Sequence, residues 1–249
     1  MIRTTDRKRR RNPVRTSGPE RVYRTQLRQV AQQVGVLVNG FPPGDPAVLP
    51  TIEQLLQRYA EALTPWAERA AAEMLSEVNR RDEQAWMLQA KDLSRALRLE
   101  IRTAPTGAAM QALMAEQVGL IKSIPLDAAQ RVHKLTIEAI EDSNRASEIS
   151  KAIQASGDVA KSRADLIART EVARTASTLT EARALHVGSP GYFWRTAGDG
   201  DVREDHRELE GKFIRWDDPP IADKRTGRRA HAGCIYGCRC YPEPVIPED

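Results

Sequence analysis

The sequence predicts an α+β fold in which helices dominate. A mainly helical N-terminal part precedes a small compact C-terminal module with a short antiparallel sheet. Three observations carry this. Residues 51–187 hold only three Gly and three Pro, so little in them breaks a helix. Their apolar residues recur at spacings of three and four, as on helices buried along one face. Residues 188–241 hold eight of the 15 Gly, seven of the 12 aromatics and all three Cys, and their apolar pieces are short. That composition suits brief strands joined by turns.

Residues 1–18, with Arg9-Arg10-Arg11-Asn12-Pro13 and Ser17-Gly18-Pro19, have no apolar period and are expected to be mobile unless something docks them. Val22, Leu27, Val30, Val34 and Val38 mark a helix over 20–39, which Gly40 and Pro42-Pro43 stop. Gly44 to Pro50 reads as a linker. Thr64-Pro65 opens a new helix, because proline in the first turn lacks an N–H that would be orphaned there anyway. Trp66, Ala70, Met74 and Val78 share its buried face, and Leu93, Leu97 and Ile101 continue a similar stripe in the same helix or a second one. Thr103 to Gly107 breaks the run.

A short helix to Lys122, a corner at Ser123-Ile124-Pro125, and a further helix ending near Ser156-Gly157 are expected next. His133, flanked by Val132 and Leu135, reads as a packing residue. A last long helix covers about Asp158 to His186. Strands are then expected at Tyr192–Trp194, Lys212–Trp216 and Cys240-Tyr241. A short helix over Val202–Glu210 is closed by Gly211.

Composition bounds the function. No stretch approaches 18 consecutive apolar residues, so no membrane span is expected. The basic N-terminus has no apolar run behind it, which does not fit a secretory signal. Three Cys is an odd count, against a disulfide framework. Net charge is +4, but residues 1–28 carry ten basic and two acidic side chains, +8, and the remaining 221 carry 28 and 32, −4. Lys8, Arg9, Arg10 and Arg11 are therefore candidate phosphate contacts on a polyanion-seeking arm, with a solvated tail as the plain alternative.

The C-terminal third carries a recognisable order of motifs. Arg169-Thr170-Glu171 lies on a helix, with Arg174 one turn on. Trp194 leads to Asp199-Gly-Asp201-Val-Arg203-Glu-Asp205-His206-Arg-Glu-Leu209-Glu-Gly211, and the segment closes with Cys238-Arg239-Cys240. This ordered set resembles the phage Mu protein F-like, or head-morphogenesis, family of minor head proteins over roughly residues 120–245. The resemblance makes residues 123–249 the head-morphogenesis domain, with helices over 125–187 and a small module over 188–249. It follows an extended helical region, 19–122, and a basic arm, 1–18. It also implies a virion component without known enzymatic activity, held at the portal protein, the major capsid protein or a scaffold protein, and assembled in the host cytoplasm. Such a component aids head assembly and DNA packaging or ejection. Arg169, Glu171, Asp201, Arg203, His206 and Gly211 are its signature residues here. The residues before Cys238 (His231-Ala-Gly-Cys234-Ile-Tyr-Gly) depart from the shorter His-Pro lead-in of similar proteins.

Read on their own chemistry, Cys234, Cys238 and Cys240 with His206, or with His231 as the alternative fourth ligand, are candidates for one structural zinc site, since zinc takes thiolate and imidazole. The alternative places Cys238 and Cys240 as buried small residues on a strand, facing one side. His206 beside Asp201 and Asp205 reads as a general base or as a hydrogen-bonded hub joining the short helix to the strand after Gly211, with Arg203 paired to a carboxylate. Two other classes follow from these residues: a metal-dependent hydrolase using His206, Asp201 and the Cys cluster, and a DNA-binding protein acting through its Arg-rich arm.

Overall fold

A computed structural model describes residues 12–43, 45–90, 94–141 and 146–246. The candidate arm residues Lys8, Arg9, Arg10 and Arg11 lie outside them. The chain is α+β, as its sequence predicts. Its elements are α1 (Ser17–Asn39), a 3₁₀ turn (Pro46–Val48), α2 (Leu49–Ala62), α3 (Thr64–Gln89), α4 (Arg95–Thr103), α5 (Gly107–Glu141), α6 (Ala146–Gln154) and α7 (Ser156–His186), followed by β1 (Gly191–Arg195), α8 (Glu204–Arg207), β2 (Phe213–Arg215), β3 (Ile221–Asp223), β4 (Arg228–Arg229) and β5 (Tyr241–Pro244).

The chain forms two compact units. One contains the described residues of 19–75 and 111–169; the other contains those of 1–18, 76–110 and 170–249.

The first unit is helical. Leu27, Val30, Val34 and Val38 of α1 are buried, as their spacing requires, together with Ile52 and Leu56 of α2 and Ile121 and Ile124 of α5; Val22 is exposed, and Tyr23 takes its place on the buried face. The buried Tyr23 hydroxyl donates to Gln117 Oε1 at 3.0 Å, so neither polar group is left without a partner. At Gly35 and Gly157 the backbones of α1 and α7 meet: a Cβ on Gly157 would lie 2.9 Å from the Gly35 Cα. Arg28 makes a two-pronged ion pair with Asp165, both bonds 2.6 Å, so part of the N-terminal excess of positive charge is matched within the unit.

The sequence expectation fails at Pro125, which lies inside α5 and not at a corner. Pro125 is buried on the same face as Ile121, Ile124, Ala128 and Ala129. Burial of this stripe offsets the missing backbone donor, whose cost is about 3 kcal/mol in a helix interior. His133 is a second departure. It is exposed, and its Nδ1 lies 2.6 Å from Glu53 Oε1, so it is a hydrogen-bond partner of Glu53 and not a packing residue.

The second unit holds the sheet. β1 is central, pairing antiparallel with β2 on one side and β5 on the other; β3 and β4 form a separate hairpin. Gly191 must be glycine, since a Cβ there would come within 2.3 Å of the Ile214 carbonyl oxygen across the ladder. The core combines Trp86, Leu97 and Ile101 with Tyr192, Trp194, Trp216, Ile235, Cys238 and Cys240. Val14 is buried and Arg81 donates to the Arg15 carbonyl at 2.9 Å, so the segment from residue 12 onward is docked. Asp82, fully buried, accepts from Thr180 and Arg183, and Arg183 also donates to Asn79 at 2.8 Å.

Candidate functional site

The short helix α8 follows from local rules. Arg203, in extended conformation, precedes Glu204 and Asp205 in its first turn, where carboxylates suit the helix N-terminus. Gly211 ends the segment at φ +74°, and its amide donates to the Trp194 carbonyl at 2.8 Å. Asp201 therefore stands before the helix and does not share a helical face with Asp205.

His206 is the hub. It is buried, and its Nε2 lies 3.0 Å from the Ala222 carbonyl oxygen. A carbonyl only accepts, so Nε2 carries the proton and joins α8 to β3, not to the strand directly after Gly211. Nδ1 then faces two sulfurs, Cys240 Sγ at 3.4 Å and Cys238 Sγ at 3.5 Å. The Trp194 ring meets the imidazole edge-on, centroids 5.5 Å apart.

The two cysteines lie in the turn before β5 and not on a strand. Gly237 at φ +64° makes that turn, and the Cys240 amide donates to Cys238 Sγ at 3.3 Å. Hydrogen bonding from Cys240, followed by that from His206, holds the Cys238 thiol far below its ordinary range, at about 4, against the cost of burial. Cys240 moves the other way, because Cys238 beside it already takes the negative charge. Burial alone would lower the His206 pKa, but the Cys238 contact outweighs it and the net shift is upward.

Among the described residues, His206, Cys238 and Cys240 form the group able to hold a metal, with ligand atoms all within 4.8 Å of one another. The four-ligand set suggested by the sequence is not assembled. Cys234 stands outside the group beside Ser177, and burial pushes its thiol up to about 11. His231 is also outside: its Nδ1 lies 3.1 Å from the Tyr192 hydroxyl, and burial lowers its pKa.

The remaining signature residues tie neighbouring segments together. Arg203 donates to the Tyr236 carbonyl at 2.6 Å, and so holds a backbone group where a carboxylate partner was expected. Asp201, with its side chain 89% exposed, and Asp199 both face Arg239, at 3.4 and 2.6 Å. Glu171 is buried and pairs with Arg174 at 3.4 Å, while Arg169 is exposed and lies 3.9 Å from Glu20.

Thr170, between them, is a contact that reasoning from charge missed: its hydroxyl accepts the Gly237 amide at 3.0 Å and fixes the cysteine turn to α7. Only its central place in the Arg-Thr-Glu triplet hinted at this. Gly233, at φ +87°, brings the same loop against α7; a Cβ there would meet the Ala173 and Cys240 carbonyl oxygens at 3.3 and 3.1 Å. Ser177 donates to the Ala232 carbonyl at 2.6 Å.

The matched sequence covers this site. An uncharacterized protein of Haemophilus influenzae (strain ATCC 51907 / DSM 11121 / KW20 / Rd) is 31% identical over 137 residues, which are 55% of this chain and 29% of that protein. No solved structure matches. The family model for phage Mu protein F like protein matches residues 130–242, from the middle of α5 into β5. Over residues 130–242 the chain is thus similar to the phage Mu protein F like family.

Proposed function

We propose that the chain is a minor head protein, present in few copies at the portal or the inner capsid face, with a structural role in head assembly and in DNA packaging or ejection. The observation that supports this reading is how the signature side chains are used. His206 binds the Ala222 carbonyl, Arg203 the Tyr236 carbonyl, and Asp199 and Asp201 bind Arg239, so each ties one segment of the module to another. Groups spent on holding shape suit a rigid docking module better than a reaction centre. A hydrolase built on His206 and Asp201 would need both at one metal, and Asp201 is not in the His206 group.

The N-terminal arm adds a contact to packaged DNA in this reading, through Lys8 to Arg11. Phosphate neutralisation by such a run is sequence-independent and falls steeply with salt.

Coexpression of the full chain with portal, scaffold and major capsid proteins tests the proposal. The chain is expected to copurify with portal-containing assemblies. Deletion of residues 2–11, which spares the docked Val14, is expected to leave copurification intact while abolishing salt-sensitive retention of DNA. A chain that never enters assemblies contradicts the structural role. Unchanged DNA retention after the deletion contradicts the arm's part in it.

A further inference from the structure

We propose that His206 Nδ1, Cys238 Sγ and Cys240 Sγ bind one zinc ion that clamps α8 to the turn preceding β5. Four observations converge on this. The first is distance. Ligands at about 2.3 Å (sulfur) and 2.0–2.1 Å (nitrogen) around a tetrahedral ion stand about 3.6 Å apart. The two sulfurs lie 3.4 and 3.5 Å from Nδ1. Two sides of the triangle already have the dimensions of such a site, and all three ligand atoms lie within 4.8 Å of one another.

The second is the state of the ring. Nε2–H is committed to the Ala222 carbonyl, which fixes the imidazole and leaves the Nδ1 lone pair toward the sulfurs. Metal-bound histidines are oriented by this kind of bond on the opposite nitrogen.

The third is the set of donors around the sulfurs. The Cys240 amide points at Cys238 Sγ, and the Trp194 indole N–H, on a fully buried ring, has no hydrogen-bond partner. Donors of this kind stabilise sulfur that carries charge, and a buried charge needs a counter-charge. A divalent ion supplies it.

The fourth is burial of the ligands. All three are buried, and a loop-built module of short strands gains much from a metal cross-link. Softness selects the ion: two thiolates and one imidazole suit zinc and not magnesium or calcium, which take oxygen. Cys234 is not a ligand. The site stands or falls independently of any role in the phage head.

The test is metal analysis of the full-length chain purified without chelator, followed by Co²⁺ titration of the metal-stripped protein. The expected result is about one zinc per chain, and one Co²⁺ showing the thiolate charge-transfer band of a sulfur-ligated ion. Cys234→Ser keeps both. Cys240→Ser lowers Co²⁺ affinity at least tenfold. Cys238→His, which exchanges one sulfur for a nitrogen, halves the charge-transfer intensity. Absence of both metals in the wild-type chain, loss of binding in Cys234→Ser, or unaltered binding in Cys240→Ser overturns the proposal. Should Cys240→Ser fail to fold, the Cys238→His spectrum decides: full intensity there also overturns it.

Discussion

At the scale of single residues, Asp82 and His206, buried in the second unit, are partnered by groups distant in sequence, which is why the sequence concealed those contacts. Asp82 and Arg183 are 101 positions apart, and neither carries a motif. Burial pushes the Asp82 carboxyl up to about 6, against the pull of Arg183 and Thr180. The sign follows from linkage. In the unfolded chain this carboxyl has its ordinary pKa, near 4, so between 4 and 6 the folded state holds the proton more tightly. Its stabilising contribution is complete below about pH 4 and falls as pH rises through 6, by about 3 kcal/mol for two pKa units. Urea unfolding of the wild-type chain and Asp82→Asn across pH 4–7 checks this: the variant should lack that decline, and equal slopes would refute the assignment. The same blindness applied to the cysteines. Spacing offered Cys234 and His231 as readily as Cys238 and His206; the turn at Gly237 and the bond to Ala222, which choose among them, are three-dimensional facts.

At the scale of elements, apolar periodicity placed α1, α3 and α4, because one-sided burial leaves a periodic trace; it did not single out α2, whose first residues Leu49 and Pro50 fall in the expected linker, and it ran α6 into the helix expected to end near Gly157. The sequence pattern placed β1 and β2 through aromatic and β-branched runs next to glycine, and β5 only at Tyr241, its first residue. It failed at Pro125, where a local rule lost to the burial of a whole helix face. Glycines separate the two kinds of constraint. Gly119, inside α5, has open space where a Cβ would go, whereas Gly157 faces the Gly35 backbone. Gly119→Ala should therefore stabilise the chain by roughly 0.5–1 kcal/mol, the helical penalty of glycine. Gly157→Ala should destabilise it by about 1–3 kcal/mol through overpacking. Thermal unfolding of the two variants reads both. The same sign for each would show that the α1–α7 approach does not constrain Gly157.

At the scale of the whole molecule, the family match and the described site coincide. Residues 130–242 include α7, β1 to β4, the first half of β5 and the His206 group, and the α7 contacts through Thr170 and Ser177 hold the turn that carries the cysteines. The central claim is that the signature polar residues maintain a rigid module. Hydrogen–deuterium exchange of the full chain, wild type against His206→Ala, tests it most directly. Lost amide protection is expected at β3 and the loop over residues 231–240, with α1 and α2 unchanged, since the substitution removes bonds worth about 1–3 kcal/mol from one buried hub. Protection left intact at β3 and in that loop would contradict it.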